Sequence, residues 1–187
     1  MAARLFRTQK EWEAWLAKSF ASSSGIWLRL AKKGAGLRTV SYSEALESAL
    51  CYGWIDGQKK TFDEGSWLQR FSPRTPGSIW SRINRSRAIA LTRAGRMKPP
   101  GLSAIETAKK NGRWSAAYDS HRTAAPPRDF QAALKKSPRA KAFFAGLNSQ
   151  NRYAILFRIQ TAKKIETRRM RIEKFIRMLS KHETLYP

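Results

Sequence analysis

A chain of 187 residues that is 42% apolar and 11% aromatic can bury one sizeable core, or a core with a helical annex, and this excludes wholesale disorder. Its 37 Lys and Arg against 13 Asp and Glu give a net charge of +24, so the surface must repel itself and attract polyanions such as nucleic acid, anionic lipid or lipopolysaccharide phosphate. The single cysteine, Cys51, excludes an intramolecular disulfide, and two scattered histidines, His121 and His182, offer no metal-ligand cluster.

The N-terminal stretch has basic residues but no apolar run of signal-peptide length, and no transmembrane stretch follows. With a lone thiol, this makes the cytoplasm the expected compartment. Thr8 and Glu11 have capping-box spacing, and Trp12, Trp15, Leu16 and Phe20 follow at helical intervals, which predicts a first helix over about residues 9–20. Ser22 to Gly25 breaks it. Ile26 to Leu30 then alternates as a strand, with Ile26, Leu28 and Leu30 on one face. Lys32-Lys33-Gly34-Ala35-Gly36 is a basic turn, read as a connector because it lacks the spacing of a phosphate-binding loop.

Ser41 and Glu44 form a second capping box, opening a helix that turns Ala45, Leu46, Ala49 and Leu50 inward and stops at Gly53. Cys51, on its last turn, reads as a small buried hydrophobe. Trp54–Phe62 and Ser66–Ser72 are strands of a hairpin closed by Asp63-Glu64-Gly65, and Trp67, Gln69 and Phe71 share one face of the second. Pro73 and Pro76 force a corner, after which Ser78 is placed to cap a helix running to Gly95. Beyond Pro99 every segment reads as helix: about 100–110, 128–136, 138–145, 149–160 and 162–181. Between them, Asp119–Pro127 is polar and ends in prolines, as a linker does. In the last helices Ile155, Ile159, Ala162, Ile165, Ile172, Ile176 and Leu179 form an apolar stripe, with the basic residues largely off it.

The expected fold class is α+β, a small antiparallel sheet of about three strands packed with helices and followed by an all-helical C-terminal region. The expected division is residues 1–98 and 99–187, with one continuous domain as the alternative. Charge climbs along the chain, at +5 over residues 1–60, +8 over 61–127 and +11 over 128–187.

Three motifs stand close together: Leu50-Cys51-Tyr52-Gly53-Trp54-Ile55-Asp56-Gly57, Arg70-Phe71-Ser72-Pro73-Arg74 and Pro76-Gly77-Ser78-Ile79-Trp80-Ser81. With Asn84, Gly95-Arg96-Met97, Pro100-Gly101 and the pattern Ala162-Lys163-Lys164 to Glu166-Thr167-Arg168, the chain resembles the bacterial YdeI/OmpD-associated family over nearly its whole length. That family is also labelled bacteriocin-protection. The resemblance implies a resistance or envelope-stress factor, linked by name to an outer-membrane porin and hence to an envelope protein as partner. It carries over no catalytic residue. A +24 protein repels cationic peptides, so any protection should act on an anionic target or indirectly.

Two candidate sites follow from the residues. Trp54, Asp56, Arg70, Arg74, Trp80 and Arg82 surround the proline corner as a candidate ligand site. Asp56 is either an acceptor for backbone or an arginine, or the polar handle of a pocket walled by Trp54 and Trp80. The arginines and aromatics could equally be a nucleic-acid face or a solvated edge over a core. Lys164, Arg168, Arg171 and Lys174 form the second candidate, a helix side for gripping phosphates, against the alternative of a solvated face. No triad, dyad, cofactor motif or sequence-reading nucleic-acid motif is present. The expectation is therefore a non-enzymatic binding protein with a protective role. A nonspecific nucleic-acid binder and a small-molecule-binding domain or enzyme are the alternatives.

Overall fold

A computed structural model describes residues 3–187. The chain forms two compact units: Met1–Trp80 with Asn84–Ser115, and Ser81–Ile83 with Ala116–Pro187. The first holds strands β1 (Ala3–Arg4), β2 (Ile26–Ala31), β3 (Trp54–Thr61) and β4 (Ser66–Pro73). Its helices are α1 (Gln9–Ser19), α2 (Tyr42–Cys51), most of α3 (Arg82–Arg93) and α4 (Pro99–Lys110). The second holds α5 (Arg128–Lys135), α6 (Pro138–Gly146), α7 (Ser149–Gln160) and α8 (Ile165–Ser180). The fold is α+β with a helical C-terminal region.

The sheet has the order β1-β2-β4-β3. It is mixed, with four strands rather than about three: β1 runs parallel to β2, while β2/β4 and β3/β4 are antiparallel. Two residues are too short for a period-2 signal, so β1 was not legible. Register pairs Ile26 with Phe71, Leu28 with Gln69 and Leu30 with Trp67, so the two strands share their inward face as their alternation predicts. A bulge between Asp56 and Lys59 shifts β3 against β4.

The core of this unit is aromatic. Trp12, Leu16, Leu28, Leu46, Trp54 and Phe71 are almost wholly buried. Burying an indole leaves an N–H to satisfy. Trp12 donates to the Ala45 carbonyl at 3.0 Å, tying α1 to α2, and Trp54 donates to the Phe20 carbonyl at 3.2 Å, tying β3 to the end of α1. Thr8 caps α1, and Ser41 with Glu44 closes a full capping box on α2. The hairpin loop is pinned by Asp63, which accepts from the Ser66 hydroxyl and pairs with Arg29 at 2.6 Å. The Ser66 hydroxyl, then Arg29, hold that carboxyl below its usual range against a desolvation that raises it.

Two helix starts move from their expected places. Ser78 does not cap α3, because its hydroxyl accepts from the Thr75 N–H and its own N–H donates to the Thr75 carbonyl, closing a turn. The helix begins at Arg82 instead. α8 begins at Ile165 rather than at 162, after α7 has ended on Thr161. Ile165, expected in the buried stripe, is 81% exposed there. The division expected at 98/99 falls inside the first unit, where the Lys98 N–H donates to the Cys51 carbonyl and α4 packs on α2.

In the second unit Phe130, Phe144, Ile155, Ile159, Ile172, Phe175 and Leu179 make the core. Asn151 is the buried polar residue at its edge: it accepts from the Leu185 and Tyr186 N–H groups and donates to the Tyr186 carbonyl, anchoring the C-terminal segment. The expected linker 119–127 is tied at its start, where Gln160 exchanges two hydrogen bonds with Asp119. No helix among the described residues is long and apolar enough to cross a membrane.

Candidate functional site

In the first unit the proline corner opens onto a cavity of 210 Å³. Backbone geometry builds it. Gly53, at φ +73°, ends α2 and releases Trp54 into β3, and a Cβ there would stand 2.7 Å from the Pro100 carbonyl oxygen. Pro73 ends β4, and the next N–H, of Arg74, donates to the Gly53 carbonyl at 2.9 Å. The Arg74 guanidinium lies 3.5 Å over the Trp80 ring and donates to the Ile79 carbonyl at 3.1 Å. Its Nε and Nη2 are buried, so it holds the corner together instead of facing the cavity as a free cation. Trp80 is braced edge-on by Trp114 at 4.9 Å.

The walls are Phe20, Tyr52, Trp54 and Trp80 on the aromatic side. Thr75 and Ser78 of the corner, and Ser103 and Thr107 of α4, bring hydroxyls. Ser103 and Thr107 are four residues apart and so project from one helix face, beside the small Ala104 and Ala108 that leave the space open. Burial pushes the Tyr52 hydroxyl above its ordinary range, with Glu13 and Cys51 adding to the shift, so it remains a neutral donor. Cys51 itself is 4% exposed, and burial raises its thiol too, as suits a packed hydrophobe.

The six residues expected around the corner separate into three places. Trp54, Arg74 and Trp80 meet at the cavity. Asp56 lies on the helix-covered face of β3, where the Tyr42 hydroxyl donates to it at 2.7 Å, so its side-chain partner is a phenol rather than backbone or an arginine. Arg70 is on the opposite face of the sheet, with its guanidinium 6.0 Å from the Trp27 ring and an N–H reaching the Ser24 carbonyl. Arg82 counts with the second unit and pairs with Asp119 at 3.2 Å. Tyr52, Ser103 and Thr107 were not anticipated. The one legible signal was the pair of hydroxyls at i, i+4 among alanines.

The C-terminal basic set also divides. Arg168 binds both oxygens of Asp129, at 2.6 and 2.9 Å, and the Ile159 carbonyl at 2.8 Å. Arg171 donates to the Arg158 carbonyl. Both therefore satisfy carbonyls in the last turn of α7, where cations also suit the helix dipole. Lys164 flanks the start of α8 and Lys174 its exposed side. Lys174, Arg177 and Lys181 are all exposed, at i, i+3 and i+7, and none enters an ion pair among the described residues. Among those residues no three of His, Cys, Asp and Glu group as metal ligands do.

Comparison with known families divides the chain in a similar way. Residues 4–104 match a family described as a domain of unknown function (DUF8412), and residues 123–182 match the family described as Bacteriocin-protection, YdeI or OmpD-Associated. No curated protein and no solved structure matches. The central motifs from Leu50 to Ser81 fall in the first matched segment, and the pattern from Ala162 to Arg168 in the second. The YdeI/OmpD-associated match is thus a partial one, narrower than the resemblance over nearly the whole chain. With more than half of its 187 residues under the first model, the chain belongs to the DUF8412 family and continues into a YdeI/OmpD-associated segment at residues 123–182.

Proposed function

We propose that this protein works by binding a polyanion, nucleic acid without base specificity, and that a protective role of the kind named for the C-terminal family proceeds through such a contact. The observation carrying the reading is the exposed stripe of Lys174, Arg177 and Lys181 on α8 in a chain of net charge +24. Like charges at these helical spacings cost a few tenths of a kcal/mol per pair, and an external phosphate run relieves that cost. Arg168 and Arg171, bound to α7, are not counted in the contact; Lys164 and Lys174 are.

Fluorescence anisotropy with unrelated single-stranded and duplex oligonucleotides, from low to high salt, tests the contact. On duplex DNA the plot of log K against log [salt] should fall with a slope of about −0.9 per phosphate neutralised. Reversal of Lys174, Arg177 and Lys181 to Glu should weaken binding to all sequences alike and flatten that slope. Binding indifferent to both salt and the reversal would overturn the reading. For the protective role, cells lacking the gene should become sensitive to bacteriocins or cationic peptides, and the reversed variant should fail to rescue them.

A further inference from the structure

The geometry points to the proline-corner cavity as a site for one planar heteroaromatic group of nucleobase type, resting against the half-buried rings of Phe20 and Tyr52 and hydrogen-bonded along its edge. This goes beyond the phosphate contact proposed for α8; it rests on that reading only where the ring belongs to a strand.

Size comes first. At 210 Å³ the cavity is smaller than the roughly 300–1,000 Å³ of pockets for drug-sized molecules, which limits the occupant to one or two rings. Wall chemistry comes next. Trp54 and Trp80, 1% and 2% exposed, are packed into the wall, while the half-buried Phe20 and Tyr52 supply the accessible aromatic surface, and a planar π system stacks on such surface whatever its sequence context. The polar groups are hydroxyls, each both donor and acceptor, and a base edge presents the same mixture of donors and acceptors. Ser103 and Thr107 hold no hydrogen-bonding partner within the described residues, so both are available to an occupant.

Charge narrows the class further. No Asp, Glu, Lys or His lines the cavity, and the Arg74 guanidinium is engaged by Trp80 and the Ile79 carbonyl. Arg74 keeps its charge in the wall, but its Nε and Nη2 are buried and its Nη1 serves the Ile79 carbonyl, so a carboxylate or phosphate inside would lose its hydration with no N–H group of that cation presented to it, which is expensive. A sugar prefers paired contacts from planar Asp, Glu, Asn or Gln side chains, and none of these lines the walls. A neutral aromatic heterocycle is the class that all three observations admit.

The experiment uses the full chain and 2-aminopurine, whose fluorescence falls on stacking, both as the free riboside and within a single-stranded oligonucleotide. Saturable quenching is expected with the wild type. Ser103→Tyr, which plugs the mouth, should weaken it roughly tenfold or more, the scale of a lost stacking contact. Thr107→Val, which keeps shape and removes the hydroxyl, should weaken it by about three- to tenfold. Melting curves check that both variants fold. Salt-dependent duplex binding by both variants should stay within about twofold of wild type, since neither residue carries charge. Quenching of the free riboside and the strand alike identifies a base site; quenching in the strand alone identifies an unstacked base of a bound polymer. Absence of saturable quenching in either form, or quenching unchanged in both folded variants, overturns the inference. Riboside quenching with no salt-dependent oligonucleotide binding would leave this inference standing and overturn the polyanion reading instead.

Discussion

Arg168 donates to both oxygens of Asp129 and to the Ile159 carbonyl, so a single side chain joins α5, α7 and α8. Its loss leaves the Ile159 carbonyl with only backbone donors, the Ala162 N–H at 3.3 Å among them, and Asp129 without its bidentate cation, so Arg168→Ala should destabilise the second unit by about 1–2 kcal/mol. Arg169, 80% exposed and paired with Glu173 one turn along the same helix, is its internal control: Arg169→Ala should stay within about 0.5 kcal/mol. Urea titrations of the two variants check the contrast, and equal effects would mean that the buried carbonyl contact carries no weight. The pair also sets a pH dependence. Hydrogen bonds from Arg168, then from the Phe130 N–H, hold the Asp129 carboxyl below its usual range, against a desolvation that raises it. A carboxyl whose folded pKa is depressed adds stability above its unfolded value, about 3.9, and that stability is lost as pH falls through the lower folded value. Asp129 is half exposed, so the effect is small and screened by salt. Thermal melts from pH 5 to pH 2 should therefore fall less steeply for Arg168→Gln than for wild type.

At the scale of elements, the junction of α2 and α4 decides whether the cavity exists. A Cβ on Gly101 would stand 2.3 Å from the Cys51 carbonyl oxygen and 2.7 Å from the Met97 Cε. The first obstacle is backbone and cannot swing aside, though the methionine end can. Helix propensity favours Ala over Gly by roughly 0.5–1 kcal/mol, but overpacking costs about 1–3 kcal/mol, so Gly101→Ala should destabilise on balance and pull α4 from the cavity wall. Gly95 gives the comparison: at φ +66° with nothing within 4 Å, Gly95→Ala carries only the left-handed penalty of about 1–2 kcal/mol and should leave 2-aminopurine quenching intact. Binding lost equally in both variants would separate the cavity from this junction. Such close approaches explain what was legible in the chain. Capping boxes and apolar periods are local, so Ser41 with Glu44 marked α2 and the alternation from Ile26 marked β2. The partner of a side chain is not local. Nothing near Ser78 announced that its hydroxyl would serve Thr75, and nothing near Arg168 announced Ile159. The cavity was half legible for the same reason. Trp54, Arg74 and Trp80 cluster around the corner in the sequence itself, while Ser103 and Thr107 arrive from a helix that no local signal directs there.

For the whole molecule the governing quantity is the charge of +24. Two opposite effects of salt compete in its stability. Ion pairs such as Arg29–Asp63 and Arg168–Asp129 weaken as salt rises, but exposed pairs are each worth only about 0–1 kcal/mol. Repulsion among the remaining cations acts over many pairs and also weakens as salt rises, because the screening length falls from about 30 Å at 0.01 M to about 10 Å at 0.1 M. With 37 basic and 13 acidic residues the second effect should dominate, so the melting midpoint should climb with NaCl between about 0.01 and 0.3 M. The sign is diagnostic, since a protein held together chiefly by its ion pairs would melt lower. Acid should deepen the dependence, because protonating carboxylates removes negative charge and leaves every Lys and Arg in place. The reversal of Lys174, Arg177 and Lys181 to Glu lowers the net charge by six and should flatten the salt dependence while weakening polyanion binding. A variant that loses binding but keeps the full salt dependence of its melting would place the self-repulsion elsewhere on the surface and sever the link between the charge that strains the fold and the contact that relieves it.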